Sequence, residues 1–211
     1  MRQITVLIDN GHGDPPLTGG KLSPDGRLKE YKYCREIAQR VSRELSLRGI
    51  ETIMLVPEQT DTPLNERVRK VNAWCRKRGA SNVVLVSIHN NAAPENPKLI
   101  VRKDRLGTWK SARGFCAMVS KNASTNSKRL AKMFYNRAVA MGLKGNRATP
   151  AEGYWVQSLA MTRDTNCPAV LTENLFQDNE DDVNFLLSEE GQQAITKLHV
   201  ETIIEYIQSL N

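Results

Sequence analysis

Residues 82–88 form a nearly continuous apolar run, Asn-Val-Val-Leu-Val-Ser-Ile, and this run limits the folds open to the chain more than any other segment. A strand of this composition must be buried on both faces, which is typical of parallel sheets covered by helices on both sides. Shorter strand-like runs lie at residues 3–8, 51–56, 114–120 and 169–173. Each of them ends at a turn-like or polar segment, so we interpret them as further strands of one sheet.

Helical patterns alternate with these strands. Apolar or small residues recur at helical spacing over residues 30–47, from residue 62 onwards, over 125–141 and over 190–210. Such alternation predicts an α/β domain with three layers, α/β/α, built on a mostly parallel mixed sheet. Residues 92–112 are basic, contain two prolines and lack periodicity, so we expect a loop or insertion at the rim of a site.

The length of 211 residues suits a single domain spanning 1–211, with a sizeable core. No run approaches the roughly 18–20 apolar residues needed to cross a bilayer. The N-terminus has one basic residue and a short apolar stretch that ends in Asp9-Asn-Gly-His12, with no small-residue cleavage site. We interpret that stretch as a strand and not as a signal peptide, so work outside the cytoplasm would need another means of delivery.

Charge and cysteine usage narrow the function classes. The net charge of +7 predicts attraction to polyanions, which include nucleic acid, anionic membranes and anionic wall polymers. The basic residues, Arg67 and Arg69 among them, are scattered without an RNP-like aromatic pattern or zinc-finger spacing. This favours solvated helix faces over a nucleic-acid-binding surface. The four cysteines form no CxxC pair and are interpreted as reduced, structural thiols: Cys34, Cys75, Cys116 and Cys167.

Two of the three histidines directly follow predicted strands. His12 lies in Asp9-Asn-Gly-His-Gly13, and His89 lies in Ser87-Ile-His-Asn-Asn91. Because ligands of open α/β sheets gather beyond the carboxyl ends of the strands, the two rings can meet in one crevice. The glycines beside His12 predict a tight turn that pushes its ring into that crevice. Either histidine taken alone is more typical of an ordinary surface or core residue, and it is their pairing at two strand ends that favours a site.

Two acidic residues are candidates for the same crevice. A catalytic zinc needs three protein ligands and one open position, and Glu30, at the start of the first long helix, is the best third ligand. A carboxylate in a first helical turn also complements the helix dipole, which leaves a purely structural alternative. Glu173 ends the apolar strand in Pro168-Ala-Val-Leu-Thr-Glu173, so its side chain is expected in the crevice or paired with a neighbour such as Arg163.

Several segments of the chain together carry a family resemblance. They are Ile8-Asp-Asn-Gly-His-Gly13, Glu30 at the helix start, Val86-Ser-Ile-His-Asn-Asn-Ala92, Arg113-Gly-Phe115, Leu159-Ala-Met-Thr-Arg-Asp-Thr165, Pro168-Ala-Val-Leu-Thr-Glu-Asn-Leu-Phe176 and Asn179-Glu-Asp-Asp182. In this order the set resembles the zinc-dependent N-acetylmuramoyl-L-alanine amidases of the amidase-3 type. The resemblance runs from about residue 4 to the C-terminal helix. The chain departs from the usual pattern at Asn10, where proline is common, and at Asn174, next to the acid.

The resemblance implies a fold, a reaction and a site. The implied fold is that of zinc-dependent exopeptidases, of the phosphorylase/hydrolase-like class. The implied reaction cleaves the amide between the lactyl group of N-acetylmuramic acid and L-alanine of the stem peptide. The residues implied are His12, Glu30 and His89 as ligands of one zinc ion and Glu173 as the catalytic acid/base. From their proximity in sequence, Arg163 and Asn174 are further candidates for binding substrate.

Rival functions and the biological setting stay open at this point. The alternatives are a zinc peptidase or other metal-dependent amidohydrolase on the same scaffold, a wall-binding module without activity and, more remotely, a nucleic-acid binder. We expect peptidoglycan as the partner, no nucleic acid, no transmembrane segment and a monomer. Synthesis in the cytoplasm with action on the cell wall or periplasm would suit a phage endolysin released through a pore. It would equally suit an autolysin of a mother cell.

Overall fold

The computed structural model describes residues 3–15 and 21–210. The strands are β1 (Thr5–Asn10), β2 (Thr52–Met54), β3 (Val83–Asn91), β4 (Ile100–Asp104), β5 (Gly107–Lys110), β6 (Cys116–Val119), β7 (Trp155–Val156) and β8 (Ala169–Phe176). The helices are α1 (Glu30–Leu47), α2 (Leu64–Arg78), α3 (Thr125–Ala140), α4 (Ala160–Arg163), α5 (Glu180–Leu187) and α6 (Glu189–Gln208).

One mixed sheet organises the described part of the chain. Its six strands lie in the order β2-β1-β3-β8-β6-β7, and a separate hairpin is formed by β4 and β5. Strands β2, β1, β3 and β8 are mutually parallel, whereas β6 runs antiparallel to β8. The predicted mostly parallel sheet is confirmed. The carboxyl ends of β1, β3 and β8 therefore meet at one edge of the sheet.

Helices cover both faces of this sheet, because successive side chains of a strand point to opposite faces. On β1, Val6 and Ile8 join a large apolar cluster with α1, α3 and α6, while Leu7 joins a smaller cluster with α2 and α4. All three side chains are fully buried. The three-layer α/β/α architecture predicted from the apolar runs is confirmed. Among the described residues, no helix combines the length and apolar character needed to cross a membrane.

The structure differs from the elements predicted from the sequence at two places. The segment predicted as a loop or insertion at residues 92–112 contains the β4–β5 hairpin. Strand β4 is almost entirely exposed, so its sequence carries no alternation of apolar and polar residues that would have indicated a strand. Helix α5, before the predicted final helix, was not anticipated. Its Asn179 N-cap accepts a hydrogen bond from Asp182 N at 3.1 Å, a capping pattern that the sequence does contain.

The four cysteines are all buried and free, in agreement with their interpretation as structural thiols. Burial raises the pKa of the Cys116 thiol to about 11 and so keeps it neutral at neutral pH. Burial likewise raises the pKa of the Cys34 thiol, on α1, well above its usual value. Neither group has the lowered pKa that a nucleophilic cysteine needs.

His199, for which the sequence indicated no role, is a structural residue of the core. It is fully buried on α6, where Nδ1 lies 2.8 Å from Ile195 O and Nε2 lies 2.9 Å from Thr172 Oγ1. A carbonyl can only accept, so Nδ1 carries the proton and the neutral ring accepts the Thr172 hydroxyl at Nε2. Burial lowers the pKa of His199 to about 4, which means that the folded protein favours the neutral ring.

This burial predicts a loss of stability in mild acid. Unfolded chains take up the proton at the ordinary histidine pKa of about 6.5, so stability is present above that pH and is lost as pH falls towards 4. Between pH 7 and pH 5, the difference between these two pKa values corresponds to a loss of about 2 kcal/mol in the free energy of unfolding. Other groups titrate over the same range in both proteins, so urea unfolding at both pH values should show that wild type loses about 2 kcal/mol more stability than His199→Gln does. An unchanged pH dependence in the variant would contradict the assignment.

Candidate active site

Three strand ends bring the predicted site residues to one edge of the sheet. His12 follows β1 by two residues, while His89 lies near the end of β3 and Glu173 near the end of β8. His89 and Glu173 are direct partners in the parallel register of β3 and β8. Glu30 reaches the same place from the first turn of α1. Four positions that are far apart in sequence therefore converge, as the strand-end argument predicted for the histidines.

Glu30 joins the two histidines. Its Oε1 atom lies 3.1 Å from His89 Nδ1 and 3.3 Å from His12 Nε2. One ligand atom from each of the three residues lies within 4.8 Å of the others. The two rings stand edge to face, with centroids 5.1 Å apart. Glu30 is only 1% exposed, whereas both rings retain about 15% exposure, so the cluster opens towards solvent on the histidine side.

The surroundings of Glu30 keep its carboxylate ionised. Burial by itself would raise its pKa, but hydrogen bonds from His12 and His89 lower it well below the usual range. The backbone N–H of Asn90 adds a further hydrogen bond to Oε1 at 3.2 Å. Burial alone would lower the pKa of His89, but the hydrogen bond and the charge of Glu30 raise it. A carboxylate that served only the helix dipole would not need this enclosure.

A short bridge places Glu30 at the start of α1. Leu22 pairs with Lys29 in an isolated antiparallel bridge, and Glu30 N donates to Lys21 O at 3.0 Å. Lys21 Nζ lies 3.9 Å from Glu30 Oε2. The bridge fixes where the chain enters the helix, so Glu30 occupies the first turn, next to the histidines. Residues 16–20, on the preceding segment, lie outside the described part of the chain.

In the turn that carries His12, the two glycines have a different role from the one expected from the sequence. Neither neighbouring glycine supplies the unusual backbone angle, since His12 itself has a φ of 61°. The glycines supply space instead. A Cβ on Gly11 would lie 2.4 Å from His89 Cε1, and one on Gly13 would lie 2.3 Å from the backbone of Asp61. Close approach of the two histidines therefore depends on Gly11.

A buried arginine holds this turn in place. Arg67, on α2, is 2% exposed, and its guanidinium contacts Asp9 Oδ1 at 2.8 Å and Asp61 Oδ1 at 2.9 Å. It also donates to the carbonyls of Asn10, at 2.7 Å, and His12, at 3.1 Å. With a fifth bond to the Thr62 carbonyl, at 2.7 Å, each of its five N–H donors has an acceptor. The charge is thereby satisfied, and the His12 backbone is fixed relative to β1 and α2.

The sequence pattern indicated that Arg67, one of the scattered basic residues, lies on a solvated helix face. That interpretation is wrong for this residue. The signal was its spacing, because Arg67 precedes Val71 and Cys75 by four and eight residues and so lies on the buried stripe of α2. An arginine on such a stripe must find buried acceptors. In the sequence, the candidate acceptor for Arg67 is Asp9, the acidic residue that ends the apolar run of β1.

Glu173 lies in an environment opposite to that of Glu30. Its Oε2 atom is buried and accepts no hydrogen bond from the described residues. Burial raises its pKa to about 7, with the positive charge of His89 opposing the shift and the negative charge of Glu30 adding to it. It does not pair with Arg163, the alternative that the sequence left open. This carboxyl can therefore hold and release a proton near neutral pH.

Two cavities flank this group of residues. One, of about 370 Å³, is bounded by Asp61, Pro63 and Leu64 beside His12. The other, of about 460 Å³, is bounded by Asn91, Pro94, Leu99, Asn146, Arg147 and Phe176.

The two candidates for substrate binding occupy other places. Arg163 lies with Ala80 and Pro168 in a depression at the amino ends of β3 and β8, the end opposite to the site. Its guanidinium is bound to Asp164. Asn174 is fully buried, and its Nδ2 donates to His89 O at 3.0 Å. The structure therefore does not bring Arg163 to the site, and it gives Asn174 a role in holding the His89 backbone.

Comparison with known proteins gives a family match over most of the chain. Residues 6–205 match the family Amidase_3, described as N-acetylmuramoyl-L-alanine amidase. The endolysin of Bacillus phage SPP1 is 28% identical over 206 residues. That alignment covers 96% of this chain but only 65% of the endolysin, so the chain spans less than two thirds of this relative's length.

Solved structures share the fold. The N-acetylmuramoyl-L-alanine amidase of Clostridium difficile 630 superimposes with a TM-score of 0.80 at 22% identity, covering all of both chains. Ami1 from Mycobacterium smegmatis gives a TM-score of 0.80 at 20% identity, covering 98% of this chain and 97% of that one. The α/β/α architecture is thus the one that these amidases have.

The Arg67 contacts predict a large loss of stability on truncation. Arg67→Ala leaves Asp9 and Asp61 without their buried partner, which costs about 3–5 kcal/mol. For a chain of this length the midpoint of thermal unfolding should fall by roughly 10 °C. Arg69→Ala, two residues away but 76% exposed, is the matched control and should shift the midpoint by less than about 2 °C. Equal midpoints for the two variants would contradict the role of Arg67.

The Gly11 contact predicts a specific defect at the histidines. Gly11→Ala should displace the His89 ring and weaken metal binding, because the added methyl group overlaps three ring atoms. Gly142→Ala is the control, since a Cβ there would meet nothing within 4 Å, although its φ of 78° adds strain. Zinc retained after dialysis, measured by plasma mass spectrometry, should fall in the first variant only. Full zinc content in Gly11→Ala would show that the ring does not depend on this space.

Proposed function

This chain belongs to the Amidase_3 family of N-acetylmuramoyl-L-alanine amidases, and from that membership we propose that it is a zinc-dependent peptidoglycan hydrolase. The bond cleaved joins the lactyl group of N-acetylmuramic acid to L-alanine of the stem peptide. One observation carries the proposal. The cluster of His12, Glu30 and His89 lies beside Glu173 on the adjacent strand, and the Glu173 Oε2 atom is buried without a hydrogen bond from the described residues.

The donor set fits a zinc ion. Two imidazole nitrogens and one carboxylate form one of the ligand sets that catalytic zinc sites use. The Glu30 Oε2 atom is buried without a hydrogen bond from the described residues, as expected of a carboxylate built to receive a cation. His12, Glu30 and His89 would hold the ion, and both histidine rings remain partly exposed. Zinc bound there supplies Lewis acidity, which activates water and polarises the scissile carbonyl.

Glu173 moves the proton in this proposal. Hydrolysis of an amide needs a base that takes a proton from the attacking water and an acid that delivers one to the leaving nitrogen. No donor among the described residues holds Glu173 Oε2 in its ionised form, so the group is able to do both in turn. The leaving amine, and with it the peptide, must then lie on the Glu173 side of the site.

Three other groups keep the reacting residues in place. Asn174 binds the His89 carbonyl, and Asn90 Nδ2 donates to the Asn174 carbonyl at 2.6 Å. Arg67 fixes the His12 backbone. These contacts position the ligands on rigid strand ends, which is what a preorganised site requires.

The biological setting follows from the same membership. We propose peptidoglycan as the partner, residues 1–211 as a monomeric catalytic domain, and an endolysin-like role in which the chain is made in the cytoplasm and acts on the cell wall. The net charge of +7 would concentrate it on an anionic wall. A metal-dependent peptidase is the second candidate, since the ligand set alone does not determine which amide bond is cleaved. Digestion of purified peptidoglycan separates the two, because an amidase frees N-terminal alanine from glycan strands and a peptidase cuts within the peptide.

Two variants test the division of roles. Glu173→Gln should keep zinc at the wild-type level while kcat on peptidoglycan falls by about 10²–10⁴-fold, since only the proton transfer is lost. Glu30→Gln should lose both zinc and activity. Zinc content is measured after dialysis, and turnover is measured as new N-terminal alanine by mass spectrometry.

The wild-type protein treated with a chelator and then reloaded with zinc is the control for both variants. Full turnover by Glu173→Gln would refute the acid/base role. Full zinc content and activity in Glu30→Gln would refute the ligand role. If wild-type protein cleaves only bonds within the peptide, the chain is a peptidase and not an amidase.

A further inference from the structure

The cavity bordered by Asn91 and Phe176 contains Arg147, an arginine that forms no ion pair with a carboxylate of the described residues, although its charge acts on Glu173 at longer range. Within the described ranges, the hydrogen bond of the Arg147 guanidinium goes to Cys116 Sγ, at 3.0 Å. The Cys116 thiol is kept neutral by burial, with its pKa raised to about 11, so it does not offset the charge. The half-buried Arg137, by contrast, pairs with both Glu201 and Glu205. Arg147 therefore has no ion-pair partner among the described residues.

Two aromatic rings hold the guanidinium in one orientation. Its Cζ atom lies 5.2 Å from the centre of the Trp155 ring and 5.5 Å from that of Phe176. Stacking of this kind fixes a planar guanidinium while leaving its N–H donors free to meet a ligand. Arg147 also lines the cavity of about 460 Å³, together with Asn91 and Phe176. The Arg147 guanidinium is therefore fixed in orientation and borders the cavity, and its hydrogen bond to Cys116 occupies only part of its donors.

The position of this cavity decides which part of a substrate reaches it. Cys116 and Glu173 are direct partners in the antiparallel register of β6 and β8, so their side chains lie next to each other on one face. Arg147, bound to Cys116, consequently lies on the side of Glu173 away from His89, whose strand β3 flanks β8 on its other edge. In the proposed reaction Glu173 protonates the leaving nitrogen. The peptide half of the substrate, and not the glycan, therefore faces Arg147.

We propose that Arg147 binds a carboxylate of the stem peptide and so makes the enzyme selective for stem peptides with a free carboxylate close to the scissile amide. This rests on the proposed amidase function. A planar guanidinium accepts a carboxylate through two parallel hydrogen bonds, and a carboxamide in the same place would lose the charge and one acceptor. Arg147 is a specificity residue in this assignment, and it takes no part in the proton transfer.

The test uses two synthetic muramoyl peptides that differ only at the residue after L-alanine, which carries a free carboxylate in one and a carboxamide in the other. For wild-type zinc enzyme, kcat/KM should favour the carboxylate by about 10–100-fold, mostly through KM. Arg147→Gln should abolish the preference by raising KM for the carboxylate form alone. Arg147→Lys should keep part of it, because a point charge remains without the planar fork. Arg43→Gln, an exposed arginine on α1, is the control and should retain the full preference.

Each result has a defined meaning. A wild-type enzyme that cleaves both peptides with equal kcat/KM overturns the inference but leaves the amidase function standing. A fall of kcat for both peptides alike in Arg147→Gln, with KM unchanged, also overturns it, since Arg147 would then act on Glu173. Wild-type enzyme that cleaves neither peptide refutes the proposed function and this inference together. Unfolding midpoints of the variants within a few degrees of wild type show that the differences arise in binding.

Discussion

The buried Arg67 guanidinium is the contact on which the site depends most. Removing a charge from water is costly unless every donor is satisfied, and here five acceptors from two separate segments, residues 9–12 and 61–62, satisfy it. Asp9 is in turn bound by the Ser87 hydroxyl at 2.5 Å, which extends the network to β3. Because the network is complete only in one arrangement, it fixes the end of β1, the His12 backbone and the segment before α2 relative to one another. His12 can therefore keep its positive φ.

The two carboxyl groups of the site illustrate how environment separates chemical roles. Both are enclosed, and burial by itself raises the pKa of each. Glu30 receives hydrogen bonds from two rings and one backbone N–H, so its pKa is lowered and it stays an ionised carboxylate. Glu173 receives none at Oε2, so its pKa rises to about 7. Pairs of acids whose environments push their pKa values apart mark the division between fixed charge and proton transfer.

The sheet topology gives the cleft its direction. The parallel strands β1 and β3 carry the two histidines, and β8 places Glu173 one strand further along. Strand β6, which runs antiparallel, then brings Cys116 and its arginine to the far side. A molecule that lay across these strands would meet the histidines, Glu173 and the Arg147 cavity in that order. The order follows from strand neighbours alone, and in the proposed reaction it separates the acyl side of the scissile bond from the amine side.

The sequence by itself determined the layers of the fold and most of the site. Apolar runs that are buried on both faces require a helix-covered parallel sheet, and helix α1 spans the residues that its periodicity predicts, Glu30–Leu47. Strand-end positions indicated His12 and His89, while Glu30 and Glu173 needed the family resemblance as well. Only the tertiary structure decided that Arg67 is buried, that Arg163 lies at the opposite end of the sheet, that β4 and β5 pair, and that Arg147 stands beside Glu173. The physical reason is that each of these depends on which strands become neighbours, whereas local periodicity records only which face of an element is buried.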